Sequence, residues 1–222
     1  MTDARPPLAV PDHLLRFSAA LSARHPQDPE GIRQPQVDPL KAHAEARAHL
    51  DEFTGLLQTF GQHTGTAFQQ RPSGVKHLDR YVEKYLDYDL VPLDILAAKF
   101  VFPTLRGLYE AAIQLDSVFQ VEGFRDRFVR PRQSGYRDLQ FVVSLSGHLA
   151  EVKLCHQLFD DLDAHEHTLY ELRRRLEASD ALSEIDTLVL DKLENVSAEL
   201  FQTVWQRTLQ KEVEDDEILS GR

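Results

Sequence analysis

Residues 139–154 restrict the fold of this chain more than any other segment. They read LQFVVSL, SG and HLAEVKL, which are two strand-like runs on either side of a two-residue turn. If Leu145 pairs with His148, counting outward places only apolar residues on one face of the hairpin: Leu139, Phe141, Val143, Ala150, Val152 and Leu154. The segment therefore predicts an antiparallel hairpin with one core face, and Glu151 projects from the opposite face.

The flanking segments predict helices. Asp38 and Pro39 are typical of a helix N-terminus, and apolar residues at helical spacing continue to Gly61, where the helix is predicted to end. The next residues are rich in Gly, Thr, Pro and Ser and predict a loop. Apolar residues at three- and four-residue spacing, from Leu158 to Leu176 and from Leu182 to Val204, predict two long helices.

Two further strands are predicted to complete the sheet. The nearly continuous apolar run at residues 94–102 is typical of a buried strand, and Pro103 is predicted to open a helix after it. A second candidate strand covers residues 117–123 and leads into an arginine-rich loop. This order of elements predicts an α+β fold, in which a small mixed β-sheet is flanked by helices and followed by a C-terminal helix.

The 222 residues are enough for one domain with its own core. Residues 1–37 contain six prolines and only a short stretch with helical spacing, so they predict a mostly irregular arm. Residues 38–178 are predicted to form the domain, and residues 179–222 a C-terminal helix with an acidic tail. The single cysteine excludes an internal disulfide and a cysteine-based zinc site.

The sequence predicts a cytoplasmic protein that does not bind membranes. No apolar run approaches the roughly 20 residues that a membrane-spanning helix needs, and the first residues lack the pattern of a signal peptide. The formal net charge of −11 disfavours generic binding to a nucleic-acid backbone, because that mode needs a basic surface.

Two basic segments contrast with this acidic composition. Residues 125–137 contain five arginines against one acid, and such a cluster repels itself unless an anion neutralises it. In the segment VKHLDRYVEKYL, a helix would place Lys76, Arg80 and Lys84 on one face. Both segments predict contacts with phosphate groups, and a solvated basic face is the alternative for the second.

Two carboxylates lie on or beside strands of the predicted sheet. Asp94 precedes the apolar strand, and Glu151 projects from the hairpin. With cations around them they suit a Mg²⁺-bound polyphosphate, because Mg²⁺ prefers one or two carboxylates together with phosphate oxygens. Tyr136, next to Gly135, offers a flat ring for stacking on a base. The sequence has neither a Walker-type phosphate loop nor the motif set of protein kinases.

Four segments resemble the synthetase domain of the RelA/SpoT family in their order and spacing: VKHLDRYVEK, LDILAAKFVF, RDRFVRPRQSGYRDLQF and HLAEVKL. The resemblance covers about residues 40–176. It implies a Mg²⁺-dependent pyrophosphokinase. Such an enzyme transfers the β,γ-pyrophosphate of ATP to a ribose 3′-hydroxyl, most often of GDP or GTP, and makes a (p)ppGpp-type alarmone.

The resemblance also implies roles for individual residues. Asp94 and Glu151 would bind the catalytic Mg²⁺, and Glu151 would orient or deprotonate the attacking 3′-hydroxyl. Tyr136 would stack on the acceptor base. The other acceptor-side positions are Gln140, Lys153 and His167. The positions that would bind ATP phosphates are Lys76, Arg80, Lys84, Lys99, Arg125, Arg130 and Arg132.

Several positions depart from the family pattern, mainly on the acceptor side. Gly74 replaces an arginine of the basic motif, and Gln140 stands where histidine is usual. After Glu151 the chain has Lys153 and Cys155, where the family usually has glutamine and arginine. The acceptor is therefore open between guanine nucleotides, adenine nucleotides and tRNA, and a nucleotide-binding regulator without catalysis is a further alternative.

The sequence lacks the metal-dependent hydrolase domain of larger family members, so it is similar to the small stand-alone branch. Some members of that branch are toxins that use adenine nucleotides or the 3′ end of tRNA and need a neutralising partner. The helix predicted at residues 181–210 is a candidate for homo-oligomerisation or for docking of such an antitoxin. Simple packing of this helix on the domain is the alternative.

Overall fold

A five-stranded β-sheet is the central element of the computed structural model, which describes residues 10–79, 81–82, 91–179 and 181–220. Its strands are β1 (Phe68–Val75), β2 (Leu96–Phe102), β3 (Gln120–Asp126), β4 (Leu139–Leu145) and β5 (His148–His156). The helices are α1 (Asp12–Arg24), α2 (Pro39–Ala48), α3 (Leu50–Thr64), α4 (Leu105–Gln114), α5 (Gln157–Glu177) and α6 (Glu184–Ser220). Short 3₁₀ turns lie at Pro29–Gly31, Leu93–Ile95 and Leu115–Ser117.

The strands lie in the order β1-β2-β5-β4-β3. The central pair β2–β5 is parallel, and the other three pairs are antiparallel. A mixed sheet flanked by helices confirms the predicted α+β class. Among the described residues, no helix is long and apolar enough to cross a membrane.

The β4–β5 hairpin has the register that the sequence predicts. Leu145 pairs with His148, and the outward pairs continue to Leu139 and Leu154. The turn residues Ser146 and Gly147 both have positive φ angles, 50° and 99°, as a tight two-residue hairpin turn requires. This register separates an apolar sheet face from a polar one.

The apolar face packs against α1, α3 and α4. Phe53 and Phe60 of α3 are fully buried, and the ring of Phe60 meets the edge of Phe100 of β2 at 4.9 Å. Leu108 and Tyr109 of α4 are also fully buried. Each such side chain stabilises the fold by about 1.5–3 kcal/mol relative to exposure, so this layer holds the sheet in place.

The segment predicted to be an irregular arm is partly helical and packed on the domain. In α1, Leu14 and Leu21 are seven residues apart, lie on the same face of the helix and are buried. The prolines of this segment flank the helix and do not interrupt it. Further along, the side chain of Gln34 exchanges two hydrogen bonds with the backbone of Leu149. At Gly123 of β3, an added Cβ would lie 2.9 Å from the carbonyl oxygen of Gln27, so the chain passes close to this strand. The division into arm, domain and tail stays a prediction.

The sequence prediction was wrong about strand β1. A loop was expected after Gly61, but α3 continues to Thr64, Gly65 caps it with φ of 67°, and β1 follows. This strand contains Pro72, which cannot donate a ladder hydrogen bond, and its pairing with β2 shifts register after Gln70. An edge strand tolerates both features. Because they interrupt the regular strand pattern, β1 could not be recognised from the sequence.

Other boundaries also differ from the sequence prediction. Val75 ends β1 and Lys76 lies before the first helical residues, 78–79, so Lys76 is not part of the predicted basic helix face. The helix after Pro103 begins at Leu105, because the Thr104 side chain caps it by accepting from the backbone of Gly107. Strand β3 lies three residues later than expected, so Arg125 belongs to a strand and not to a loop. The C-terminal helix α6 continues to Ser220 through the predicted acidic tail.

Two buried histidines mark the ends of β5. Burial lowers the pKa of His148 to about 4, and its ring stacks on His49 at 5.9 Å. Burial also lowers the pKa of His156 to about 4, and its Nδ1 accepts from the backbone N–H of Leu158 at 3.2 Å, which caps α5. Both imidazoles are therefore neutral in the folded protein at neutral pH.

We expect the free energy of unfolding to fall as the pH drops from about 6.5 towards 4. The unfolded chain, with histidine pKa values near 6.5, binds more protons in this window than the folded one, so acid favours unfolding. Urea denaturation at a series of pH values measures this dependence. His148→Gln should lower the number of protons taken up on unfolding in this window by about one, whereas replacing the exposed Gln62, which is not titratable, by Asn should leave that number unchanged. A slope insensitive to His148→Gln would contradict this account.

Candidate active site

The polar face of the sheet, the arginine-rich segment and the helices α5 and α6 line a cleft of 970 Å³. Glu151 and Lys153 of β5 form part of its floor, and His167 and Tyr170 of α5 part of its wall. The hairpin register explains this placement, because alternate residues of β5 point away from the core. The cleft is the place where most of the predicted site residues meet.

Five side chains on this sheet face form a closed polar ring. Arg127 donates to Oδ1 of Asp138 at 2.7 Å and, through its other terminal nitrogen, to Oε1 of Gln140. The amide nitrogen of Gln140 donates to Oε2 of Glu151. The Nζ of Lys153 closes the ring, 3.5 Å from Oε1 of Glu151 and 3.8 Å from Oδ2 of Asp138. Two cations balance two carboxylates in this polar ring.

The deeper side of the polar ring is removed from water. The side chains of Asp138 and Arg127 are 0% and 3% exposed. Buried charges are stable only when they are paired and hydrogen-bonded, and here the backbone N–H of Arg127 also donates to the carbonyl of Asp138 at 2.9 Å. The nearby carboxylate of Glu151 raises the pKa of Lys153, which keeps the ammonium charged.

Asp94 lies in the 3₁₀ turn directly before β2 and lines the same cleft. Its Oδ2 accepts from Nζ of Lys76 at 2.9 Å, and Nη2 of Arg71 lies 3.4 Å away. The parallel pairing places Ala97 beside Glu151, so the turn that carries Asp94 precedes the strand residues that pair with β5 at Glu151. Arg71 was not predicted to take part, because β1 was not recognised as a strand.

Arg125 lines the cleft, but two carboxylates of the 3₁₀ turn before α2 already neutralise it. Its guanidinium forms an ion pair with Asp28 and another with Glu30 at 3.0 Å. The hydrogen bond from Arg125 lowers the pKa of Asp28. Both carboxylates are largely exposed, and exposed ion pairs contribute only about 0–1 kcal/mol, so an anionic ligand can compete for this guanidinium.

Arg130 and Arg132 are exposed at the rim of the cleft. Among the described residues, neither forms an ion pair, which leaves both guanidinium groups available to an anion. Arg137 differs, because it is buried, donates to the carbonyl of Phe128 and lies 4.2 Å from the ring of Trp205. Burial lowers the pKa of Arg137 to about 10. This arginine of the cluster is structural and holds α6 against the domain.

Tyr136 projects into the cleft from the same segment. The edge of its ring meets Phe201 of α6 at 5.7 Å with an interplanar angle of 87°. Gly135 has φ of 85°, and a Cβ there would lie 3.0 Å from Cβ of Phe201, so the turn packs tightly on α6. Burial raises the pKa of the Tyr136 phenol, which is neutral. Lys153 Nζ lies 5.9 Å from the ring centroid.

The α5 wall contains a buried polar cluster that the sequence did not reveal. Glu166 accepts from Arg173 at 2.8 Å and from the hydroxyl of Ser197 of α6 at 2.6 Å. These contacts join the two helices where an apolar seam was predicted, and Leu172 of that seam is exposed. The seven-residue spacing of Glu166 and Arg173 on one helix face was the available signal.

The predicted site residues outside the cleft divide into three cases. Arg80 and Lys84 lie outside the described residues. Lys99 forms an ion pair with Asp160 of α5 and is not one of the described residues that line the cleft. Its predicted contact with ATP phosphates stays a prediction. Gln140 is buried and is not among the described residues that line the cleft, and both ends of its amide are used within the polar ring.

The donor set of the cleft fits a magnesium ion. Within the described residues, no group of three or more His, Cys, Asp or Glu side chains is placed to hold a metal. Asp94 and Glu151 would supply two carboxylate ligands, and phosphate oxygens and water would complete the shell. This is the ligand set that Mg²⁺ uses at polyphosphate sites.

Comparison with known proteins identifies the fold. No family model matches the sequence, and no curated protein matches it. The small alarmone synthetase 1 from Bacillus subtilis superposes with a TM-score of 0.57 at 15% identity, covering 82% of this chain and 96% of that chain. The Type VI effector Tas1, solved in complex with its immunity protein, superposes with a TM-score of 0.50 at 15% identity, covering 73% and 95%. The chain therefore has the fold that the resemblance implied.

Proposed function

We propose that the protein is a Mg²⁺-dependent pyrophosphokinase that transfers the β,γ-pyrophosphate of ATP to a ribose 3′-hydroxyl. The preferred acceptor is GDP or GTP, which would give a (p)ppGpp-type alarmone. The observation that carries the proposal is the meeting of Asp94, Glu151 and the rim arginines in one cleft, within the fold of a small alarmone synthetase.

The volume and the charged residues of the cleft suit the binding of two nucleotides. Ligand pockets usually measure about 300–1,000 Å³, and 970 Å³ is at the upper end of that range. Arg130 and Arg132, which form no ion pair with any described residue, offer guanidinium groups for phosphate oxygens, and Lys76 lies beside Asp94. Pyrophosphoryl transfer needs in-line positioning and charge neutralisation more than covalent assistance from the protein.

Asp94 and Glu151 would hold the magnesium ion, which would neutralise phosphate charge and orient the donor. In the reaction the acceptor 3′-oxygen forms a bond to the β-phosphorus of ATP. The bond between that phosphorus and the oxygen bridging to the α-phosphate breaks, and AMP leaves with that oxygen. Glu151 accepts the proton of the 3′-hydroxyl.

On the acceptor side, Tyr136 presents its ring and Lys153 its ammonium to the cleft. His167 is exposed on the opposite wall and stacks on Tyr170 at 6.1 Å, where an acceptor base or phosphate can reach it. We assign no direct acceptor contact to Gln140, because its amide is engaged in the polar ring.

A toxin-type enzyme is the second candidate, and the structural similarity to an effector that forms a complex with an immunity protein favours it. Its acceptor would be an adenine nucleotide or the 3′ end of tRNA. A tRNA acceptor would show strongly salt-dependent binding, because several phosphates would be engaged. Exposed apolar residues of α6 support docking of an antitoxin or of a second copy, and they include Ile185, Leu188, Val189 and Val196. A cytoplasmic location stays a prediction.

The test is incubation of the purified protein with γ-labelled ATP, Mg²⁺ and, separately, GDP, GTP, AMP, ADP and bulk tRNA. Label that moves onto one acceptor supports the proposal and names the substrate. ATP binding without transfer to any of these acceptors would instead indicate a nucleotide-binding regulator.

Glu151→Gln should lower the transfer rate by at least about 100-fold, because general-base catalysis typically contributes that much. The affinity for ATP should be nearly unchanged, as measured by equilibrium binding without an acceptor. Replacing the exposed Glu110 of α4 by Gln is the matched control and should be fully active. Full activity of Glu151→Gln would exclude the role assigned to this carboxylate.

Tyr136→Ala should weaken acceptor binding by about 1–3 kcal/mol if a base stacks on the ring. Tyr136→Phe keeps the ring and should bind the acceptor like the wild type. Isothermal titration with the acceptor measures both variants, with ATP binding as the reference. If Tyr136→Ala binds the acceptor normally, the ring has only a structural role against Phe201.

A further inference from the structure

The amide of Gln140 can adopt only one orientation in the polar ring. Arginine has donors and no acceptor, so the group of Gln140 that faces Arg127 must be the carbonyl oxygen. The amide nitrogen must then face Glu151 and donate to its Oε2. The orientation of the Gln140 amide is therefore fixed by the donors of Arg127, even though the amide oxygen and nitrogen have similar shapes.

Arg127 in turn has little freedom to move. Its guanidinium is held by the fully buried Asp138 at 2.7 Å, and its backbone N–H donates to the carbonyl of the same residue at 2.9 Å. The hairpin register places Gln140 two residues after Asp138 and directly opposite Lys153. A rigid, buried ion pair therefore sets the direction of the Gln140 donor.

The Gln140 amide donates to one oxygen of Glu151, and the other oxygen lies beside a cation. Lys153 lies 3.5 Å from the other oxygen of Glu151 and also lies 3.8 Å from Asp138. A lysine ammonium is a point charge on a flexible stem and imposes less direction on a carboxylate than a fixed hydrogen-bond donor does. The hydrogen bond from Gln140 to Oε2, added to the contact of Oε1 with Lys153, holds both oxygens of Glu151.

We propose that Arg127 and Gln140 are positioning residues, which fix the direction of the Glu151 carboxylate through a relay of two hydrogen bonds. The inference rests on the proposed function of Glu151. It replaces the sequence-based role of Gln140, which was direct contact with the acceptor. The two roles differ in their kinetic consequence, because a positioning residue affects the chemical step and an acceptor-binding residue affects KM.

The test uses three variants at position 140. Gln140→Leu keeps the approximate size and removes both hydrogen bonds. Gln140→Glu can accept from Arg127 but cannot donate to Glu151 as a carboxylate. In Gln140→His, the neutral imidazole has one donor and one acceptor nitrogen and can restore the relay.

We expect kcat to fall about 10–100-fold in Gln140→Leu and Gln140→Glu, the range typical for groups that orient a metal-site ligand. KM for the acceptor and equilibrium affinity for a non-hydrolysable ATP analogue should stay unchanged. Gln140→His should recover most of kcat. Gln120→Leu is the matched control, because Gln120 is exposed at the first position of β3, donates to Glu122 at 2.7 Å and does not line the cleft; its kcat should equal that of the wild type.

The outcomes separate the inference from the proposed function. Wild-type protein that transfers no pyrophosphate to any acceptor overturns both. If the wild type is active, a normal kcat in Gln140→Leu, or an increase only in the acceptor KM, overturns the relay alone. Thermal unfolding provides the structural readout, and a loss of kcat that follows the melting temperature, with no recovery in Gln140→His, would also overturn it.

Discussion

The pairing of β4 with β5 decides which side chains meet the core and which meet the cleft. Since side chains alternate along a strand, a shift of one residue would exchange the two faces. In the observed register, Phe141 and Val152 face the apolar layer, while Gln140 and Glu151 lie on the opposite, polar face of the sheet. The parallel pairing with β2 then brings the Asp94 end of that strand beside Glu151.

A polar sheet face covered by helices must satisfy its own charges. The polar ring does this by closing on itself, so that Arg127 and Lys153 balance Asp138 and Glu151. Such a network is costly to disrupt in part, because removing one member leaves a buried charge unpaired. The same ring holds the carboxylate to which we assign the chemistry, so the stability of the sheet face and the precision of the site have one origin.

The hairpin, the α+β class and the central position of Glu151 could be predicted from sequence, because each depends on local pattern. Strand β1 could not, since Pro72 and a register shift disguise an edge strand. The buried face of α5 was also missed, because Glu166 and Arg173 take core positions only through contacts with each other and with α6. The hydrogen bonds of the Gln140 side chain were also not predicted, because they depend on Arg127, which lies in the connection between β3 and β4.

The central claim is transfer of an intact pyrophosphate group from ATP, and the adenine product of the reaction tests it most directly. Purified protein would be incubated with Mg²⁺, ATP and the acceptor that it labels, and AMP, ADP and modified acceptor would be quantified together. The account predicts one AMP for each acceptor modified and no ADP. Formation of ADP in step with acceptor modification would show transfer of a single phosphoryl group and would contradict the account.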